Sequence, residues 1–345
     1  MSTQKAIYKR LGNSGLSVSV PILGTMGFGT SQWLDWIIEE DRALPIFKEA
    51  FDRGINTWDT ADTYSNGLSE VIVGKAIRKY NIPREQLVIM TKCYFPVGDT
   101  PESRAFWTPE PGQTAELVNR AGLSRKALFG AVDASLKRMG LEYIDLFQIH
   151  RADPATPPRE TMEALHDLVK AGKIRYIGAS SMRTWQFALY QQCAHQYNLT
   201  PFISMQSQYS LLYREEEREM IPYCKATGVG LIPWAPLARG YLAKPNIENT
   251  VRAASEPKGS IFDVGKSEAD QEIIRRVKEI ADRKGWSMAT VASVWVAEKV
   301  TAPIVGMGSV QRVAQALEIC GKVLTVEERR SLEEPYVQKE VVGHA

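Results

Sequence analysis

Residues 54–64 read Gly54-Ile55-Asn56-Thr57-Trp58-Asp59-Thr60-Ala61-Asp62-Thr63-Tyr64, a short apolar run that ends on an aspartate and reaches a tyrosine soon after. The same grammar recurs downstream. Leu87-Val88-Ile89-Met90-Thr91 stops at Lys92, and Ile144-Asp145-Leu146-Phe147-Gln148-Ile149 stops at His150. Short, nearly continuous apolar runs suit strands covered on both faces. In parallel β/α folds, chemistry gathers at the carboxyl ends of such strands. An acid, a cation and an imidazole from separate strand ends therefore belong in one pocket.

Working outward from these runs, Ile7 to Leu11, the turn Gly12-Asn13-Ser14-Gly15 and Leu16 to Val20 read as a β-hairpin. Strands are then expected at Ile22 to Gly24, Ile55 to Trp58, Leu87 to Thr91, Ile144 to Ile149, Ile174 to Ala179, Phe202 to Met205, Gly230 to Pro233 and Pro303 to Val305. Helical spacing fills the gaps. Ser124 suits an N-cap, with Leu128, Val132, Leu136 and Met139 on one face and Gly140 as the stop. Glu215 to Thr227 is expected as one helix whose charged beginning is solvated, and Ile273 to Lys284 as another helix. Eight β/α units favour a closed (β/α)8 TIM barrel over an open doubly wound sheet. We expect one barrel domain over residues 1–345. Two stretches exceed ordinary loop length, Tyr94 to Leu123 and Leu237 to Lys266. Both would lie on the carboxyl face, where insertions cover a ligand or are simply variable surface.

Bulk composition excludes several classes. The chain has 345 residues, 44% of them hydrophobic, and a formal net charge of +2. That charge predicts neither nucleic-acid nor membrane attraction. Cys93, Cys193, Cys224 and Cys320 have no CxxC spacing, which argues against zinc and a disulfide framework and suits a reducing compartment. No signal-peptide core opens the chain, and no apolar run approaches the ~18 residues of a membrane span. The expectation is a soluble, cytoplasmic protein of undetermined oligomeric state.

Asp59, Tyr64, Lys92 and His150 suit carbonyl reduction. A phenol has a pKa of about 10 and is a weak acid near neutrality. A buried ammonium beside it would lower that value. Lys92 suits this role, with Asp59 keeping it charged, and His150 suits polarising a carbonyl oxygen. Such a set supplies no hydride, so it needs a nicotinamide cofactor. Singly, each of these residues is more often a packing or surface group; the joint placement at strand ends is what favours chemistry.

The motifs Asp59-Thr60-Ala61-Asp62-Thr63-Tyr64, Thr91-Lys92 and Gln148-Ile149-His150, in this order and spacing, resemble those of the aldo-keto reductase superfamily over about Tyr8 to Cys320. The segments Ile177-Gly178-Ala179-Ser180-Ser181-Met182 and Ile304-Val305-Gly306 are similar to fungal members that reduce aryl aldehydes or polyketide intermediates. The resemblance implies a (β/α)8 barrel, NADPH-dependent reduction of a small-molecule carbonyl, and Tyr64 as the proton donor. It implies an extended cofactor without a dinucleotide Gly-rich fingerprint. That agrees with Gly24-Thr25-Met26-Gly27-Phe28-Gly29, which lacks the GxGxxG spacing.

By the same resemblance, Gly24, Thr25 and Met26 line the nicotinamide, as does the catalytic Asp59. Ser180, Ser181 and Gln206 bond its carboxamide, and Trp234 stacks on the ring. Leu237, Arg239 and Gly240 embrace the pyrophosphate. Gly306, Ser309, Arg312 and Gln315 hold the adenosine phosphate, with NADPH favoured over NADH through Arg312. A barrel-rim core position is the lesser alternative for Trp234, and a solvated cation at a helix start suits Arg312 equally. The chain departs from the family at Ser181, where Asn is common, and at Gln315-Ala316, where Glu-Asn is common. Trp33, Phe95 and Trp107, with Trp36 and Phe106, are expected around the substrate, and equally suit anchors that pack the loops.

Two other functions compete. One is a slow-turnover NADP(H)-binding regulatory subunit, a role the potassium-channel β subunits show this barrel can take. The other is a metal-dependent barrel hydrolase, which needs several His or carboxylate ligands where only His150 and Asp59 qualify.

Overall fold

The computed structural model describes residues 4–105, 114–244 and 265–344. Strands β1 (Ile7–Arg10) and β2 (Ser17–Val20) pair antiparallel, Ile7 opposite Val20. Eight further strands form one parallel sheet: β3 (Ile22–Gly24), β4 (Thr57–Asp59), β5 (Val88–Cys93), β6 (Ile144–Ile149), β7 (Ile174–Ser180), β8 (Ser204–Gln206), β9 (Gly230–Leu231) and β10 (Ile304–Gly306). Neighbours run in chain order, and β10 pairs with β3. The remaining seam is closed by Ile304 N–H donating to the Pro233 carbonyl at 2.9 Å and Thr301 N–H to the Leu231 carbonyl at 3.0 Å. Helices alternate with the strands around the outside, which makes a TIM barrel with an N-terminal hairpin.

The hairpin lies against the amino ends of the strands. Ser19 N–H donates to Thr57 Oγ1 at 2.9 Å. Asn13 N–H reaches the Gly228 carbonyl at 2.8 Å. A Cβ on Gly12 would lie 2.2 Å from that oxygen, so only glycine allows the approach. With Leu11, Val18 and Val20 buried in the main core, this end is sealed and the carboxyl end is left for ligands.

Two expectations are revised and one helix is added. The stretch Glu215 to Thr227 is not one helix with a solvated start. It is a 3-10 turn, Glu215–Glu217, then a helix, Met220–Thr227. Glu215 and Glu216 are buried because the C-terminal tail docks on them. Tyr336 OH and Lys339 N–H each donate to Glu215 Oε1 at 2.7 Å, and His344 Nε2 meets Glu216 Oε1 at 2.8 Å. The helix expected from Ile273 begins at Glu268, capped by Ser267. A helix at Val326–Glu333 went unread, although Thr325 and Glu328 form a capping box.

Candidate active site

Register explains how the polar residues converge. Asp59 ends β4 opposite Met90 of β5, and Lys92 lies on the same face as Met90. Lys92 in turn sits opposite Gln148 of β6, and Ser180 of β7 opposite Gln206 of β8. His150 follows β6 directly, with its N–H donating to the Cys93 carbonyl at 2.9 Å. Tyr64 opens the turn Tyr64–Gly67, in which Ser65, Asn66 and Gly67 have φ of 47°, 50° and 91°. These left-handed residues fold the chain back over the barrel mouth.

The Lys92 ammonium is fully buried. It donates to Asp59 Oδ2 at 2.7 Å and the Thr60 carbonyl at 2.7 Å, and lies 3.4 Å from the Tyr64 phenolic oxygen. Asp59 Oδ1 accepts from Gln206 Nε2 at 3.0 Å and Gln148 Nε2 at 3.3 Å. Both carboxylate oxygens are thus satisfied, as a buried charge requires. Burial works against the Lys92 charge, but Asp59 and Tyr64 outweigh it and hold the pKa above its ordinary value.

The phenol departs from expectation. Burial pushes the Tyr64 pKa up, and the Lys92 ammonium pulls it back only in part, so the net direction is upward. Lys92 acts with the expected sign, but Asp59 already compensates its charge at 2.7 Å, whereas the phenol is at 3.4 Å. Tyr64 is therefore a protonated phenol at neutral pH, beside a cation that would stabilise its anion. His150 stands 6.0 Å from Tyr64 between ring centroids, nearly perpendicular. Its pKa is held well below the usual value by burial, then by Arg151 and Lys92. The imidazole is neutral, and its buried Nδ1 has no partner among the described residues.

The candidate cofactor residues lie on or shortly after strands of the same sheet. Thr25 is committed to the scaffold: its N–H and hydroxyl both donate to the Asp59 carbonyl at 2.9 Å. Gly24 pairs with Asp59 in register, and Met26 packs beside Trp33 and Tyr64. Ser180 Oγ donates to the Gln206 carbonyl at 2.7 Å. Ser181 takes φ of 41° and accepts from Trp234 Nε1 at 3.1 Å. Both Gln206 amide hydrogens are occupied, by Asp59 and by Gln148 Oε1 at 3.1 Å. Its backbone carbonyl already accepts from Ser180 Oγ, so the side-chain Oε1 is the atom left for a ligand. Leu237 precedes the 3-10 turn Ala238–Gly240, where Ala238, Arg239 and Gly240 have φ of 45°, 58° and 108°. Gly306 ends β10, and Ser309 caps the short helix Val310–Ala316, which carries the exposed Arg312 and Gln315.

Of the expected substrate residues, Trp33 is fully buried and packs with Tyr64, Ile37 and Ala61. Phe95 lies edge-on to His150 at 5.2 Å. Trp107 and Phe106 lie outside the described residues. Two contributors were missed. Gln148, read only as part of a motif, helps hold Asp59. Asn66 clamps the long loop after β5: its Oδ1 accepts from Gly98 N–H at 2.9 Å, and its Nδ2 donates to the Pro101 and Ser103 carbonyls at 3.0 and 2.9 Å. An asparagine just past the tyrosine, at a turn needing left-handed φ, was the available signal.

A closed parallel barrel with a buried Asp–Lys–Tyr set and a neutral histidine at its carboxyl mouth defines a carbonyl-reducing oxidoreductase. The chain belongs to the aldo/keto reductase family, whose model matches residues 22–336. It is 52% identical over 352 residues to an aldo-keto reductase of Fusarium vanettenii, spanning 100% of this chain and 95% of that protein. An aldo-keto reductase of Metarhizium robertsii is 51% identical over 356 residues, covering 100% and 95%. The versiconal hemiacetal acetate reductase of Aspergillus parasiticus is 49% identical over 337 residues, covering 97% and 98%. No helix among the described residues is long and apolar enough to cross a membrane.

Proposed function

We propose that this protein is a single-domain, NADPH-dependent reductase that converts aromatic or other bulky aldehydes and ketones to alcohols, with Tyr64 as the proton donor. The observation that carries this reading is the Lys92 ammonium placed between Asp59 and Tyr64, beside an uncommitted neutral His150. The chemistry divides among these groups. His150 donates a hydrogen bond to the carbonyl oxygen and polarises it. Tyr64 delivers its proton to that oxygen as negative charge develops, because an alkoxide is a far stronger base than a phenolate. Lys92 stabilises the phenolate left behind, and Asp59 keeps Lys92 charged and aimed. Bound NADPH supplies the hydride.

The carboxyl rim fits such a cofactor. Trp234 is half-buried with its indole N–H tied to Ser181, which suits a stacking platform. A Cβ at Gly240 or Gly306 would meet no atom within 4 Å, so both backbones are open to close approach. In this reading Gly24, Met26, Ser180 and Gln206 Oε1 border the nicotinamide, Arg239 meets the pyrophosphate and Arg312 the 2′-phosphate. The aromatic surroundings, Trp33, Tyr64 and Phe95, support bulky or aromatic substrates. The test is loss of NADPH absorbance with an aryl aldehyde. We expect turnover by the wild type and a fall on the order of 10²- to 10⁴-fold in Tyr64→Phe. Equal rates in the two would remove Tyr64 as the donor.

A further inference from the structure

We propose that Arg151 is an anion-recognition residue, and that the preferred carbonyl substrates carry a carboxylate or equivalent anionic group beside the reacting centre. This rests on the reductase reading and names the substrate class within it. Arg151 follows His150 at the end of β6 and is half-buried. Its Nη1 donates to the His150 carbonyl at 2.6 Å, which fixes the guanidinium next to the imidazole. Its other face lies over the Phe95 ring, 5.5 Å from the centroid. Phe95 in turn meets the edge of His150 at 5.2 Å and of Tyr94 at 5.0 Å.

Three features set this cation apart. First, no carboxylate lies within ion-pair distance of it among the described residues, although other half-buried guanidiniums such as Arg84, Arg138 and Arg214 are paired with Asp145, Glu70 and Glu217. Second, its environment disfavours the charge. Burial lowers its pKa to about 10, with Tyr64 and Tyr94 acting in the opposite direction, so it remains charged at neutral pH without a counter-ion. Third, a single hydrogen bond uses one of several guanidinium N–H donors. The rest form the planar fork that matches a carboxylate. An uncompensated charge next to the reacting residues is costly for folding alone, and a substrate anion offsets that cost only when bound. Phe95 beside it gives an aromatic ring a surface to lie on, between the cation and His150.

The test compares 4-formylbenzoate with its neutral methyl ester in wild type, Arg151→Met and Arg151→Lys. We expect the ratio of kcat/KM for acid over ester to fall on the order of 10- to 100-fold in Arg151→Met, with part of the ratio restored by Arg151→Lys. An unchanged ratio overturns the proposal. So does an equal loss on both substrates with a shifted pH profile, which would make Arg151 only a positioning residue for His150. If the wild type reduces neither aldehyde, the reductase reading fails on its own. Benzoate binding to the NADP⁺-mixed protein then decides. Binding weakened by the same factor in Arg151→Met upholds the anion site, and equal dissociation constants in the two proteins sink it.

Discussion

Lys92 Nζ lies 2.7 Å from Asp59 Oδ2, and among the described residues neither group makes a second ion pair. Removing one partner leaves the other charged and buried. Lys92→Met should therefore destabilise the protein by about 3–5 kcal/mol, read from the denaturant midpoint. Asp59→Asn with Lys92→Met removes both charges and should recover much of that loss. Additive effects of the two substitutions would show that the pair is not coupled.

Asp62 presents a different buried acid. Burial, then the neighbouring Glu70, pushes its carboxyl well above the ordinary range, with Arg138 and Lys92 opposing, and its Oδ1 has no hydrogen-bond partner among the described residues. Below pH about 4 the carboxyl is protonated in both folded and unfolded chains. As pH rises through that value the unfolded chain ionises while the folded protein keeps its proton, so stability falls until the elevated folded pKa is reached. Asp62→Asn removes this penalty. The variant should be more stable than wild type at pH 7, on the order of 1.4 kcal/mol for each unit of elevation, with the gap closing below pH 4. A gap independent of pH would show that Asp62 is ionised in the fold.

Much of this was legible in the sequence because each strand end carried a chemically distinctive residue. Asp59, Lys92 and His150 stop apolar runs, and the carboxyl ends of parallel strands share one rim; that Asp59 and Lys92 also share a face follows from the register of Asp59 with Met90, which the sequence does not carry. What escaped were effects set by tertiary context. The Tyr64 proton affinity depends on how completely the phenol is buried, which spacing does not encode. Glu215 and Glu216 looked like a solvated helix start, yet a tail more than a hundred residues later covers them. The helix Val326–Glu333 did carry a local signature, Thr325 and Glu328, but few apolar residues to give it a face.

Asn66 ties the loop after β5 to the turn that carries Tyr64 through three hydrogen bonds at 2.9 to 3.0 Å. Asn66→Gly keeps the left-handed backbone, φ 50°, and deletes the clamp. We expect faster amide exchange and proteolysis over residues 94–105 and a several-fold higher KM for the carbonyl substrate, with kcat less affected. Each bond is worth about 0.5–1.5 kcal/mol. Unchanged exchange in this segment would show that the loop is held elsewhere.

Arg312 is exposed at the first turn of the helix Val310–Ala316, and its own N–H is already capped by Ser309 Oγ at 3.3 Å. Its guanidinium is therefore the group that distinguishes a 2′-phosphate from a hydroxyl, if this helix borders the adenosine end of the cofactor. Arg312→Ala should raise the dissociation constant for NADPH by about tenfold, as loss of a charge-assisted contact does, while leaving that for NADH unchanged. The difference should shrink at high salt because the site is open to water. Fluorescence titration of both cofactors against both proteins measures all four constants. Equal affinities for NADPH and NADH in the wild type, unmoved by the substitution, would take Arg312 out of the cofactor site and leave it a solvated surface cation.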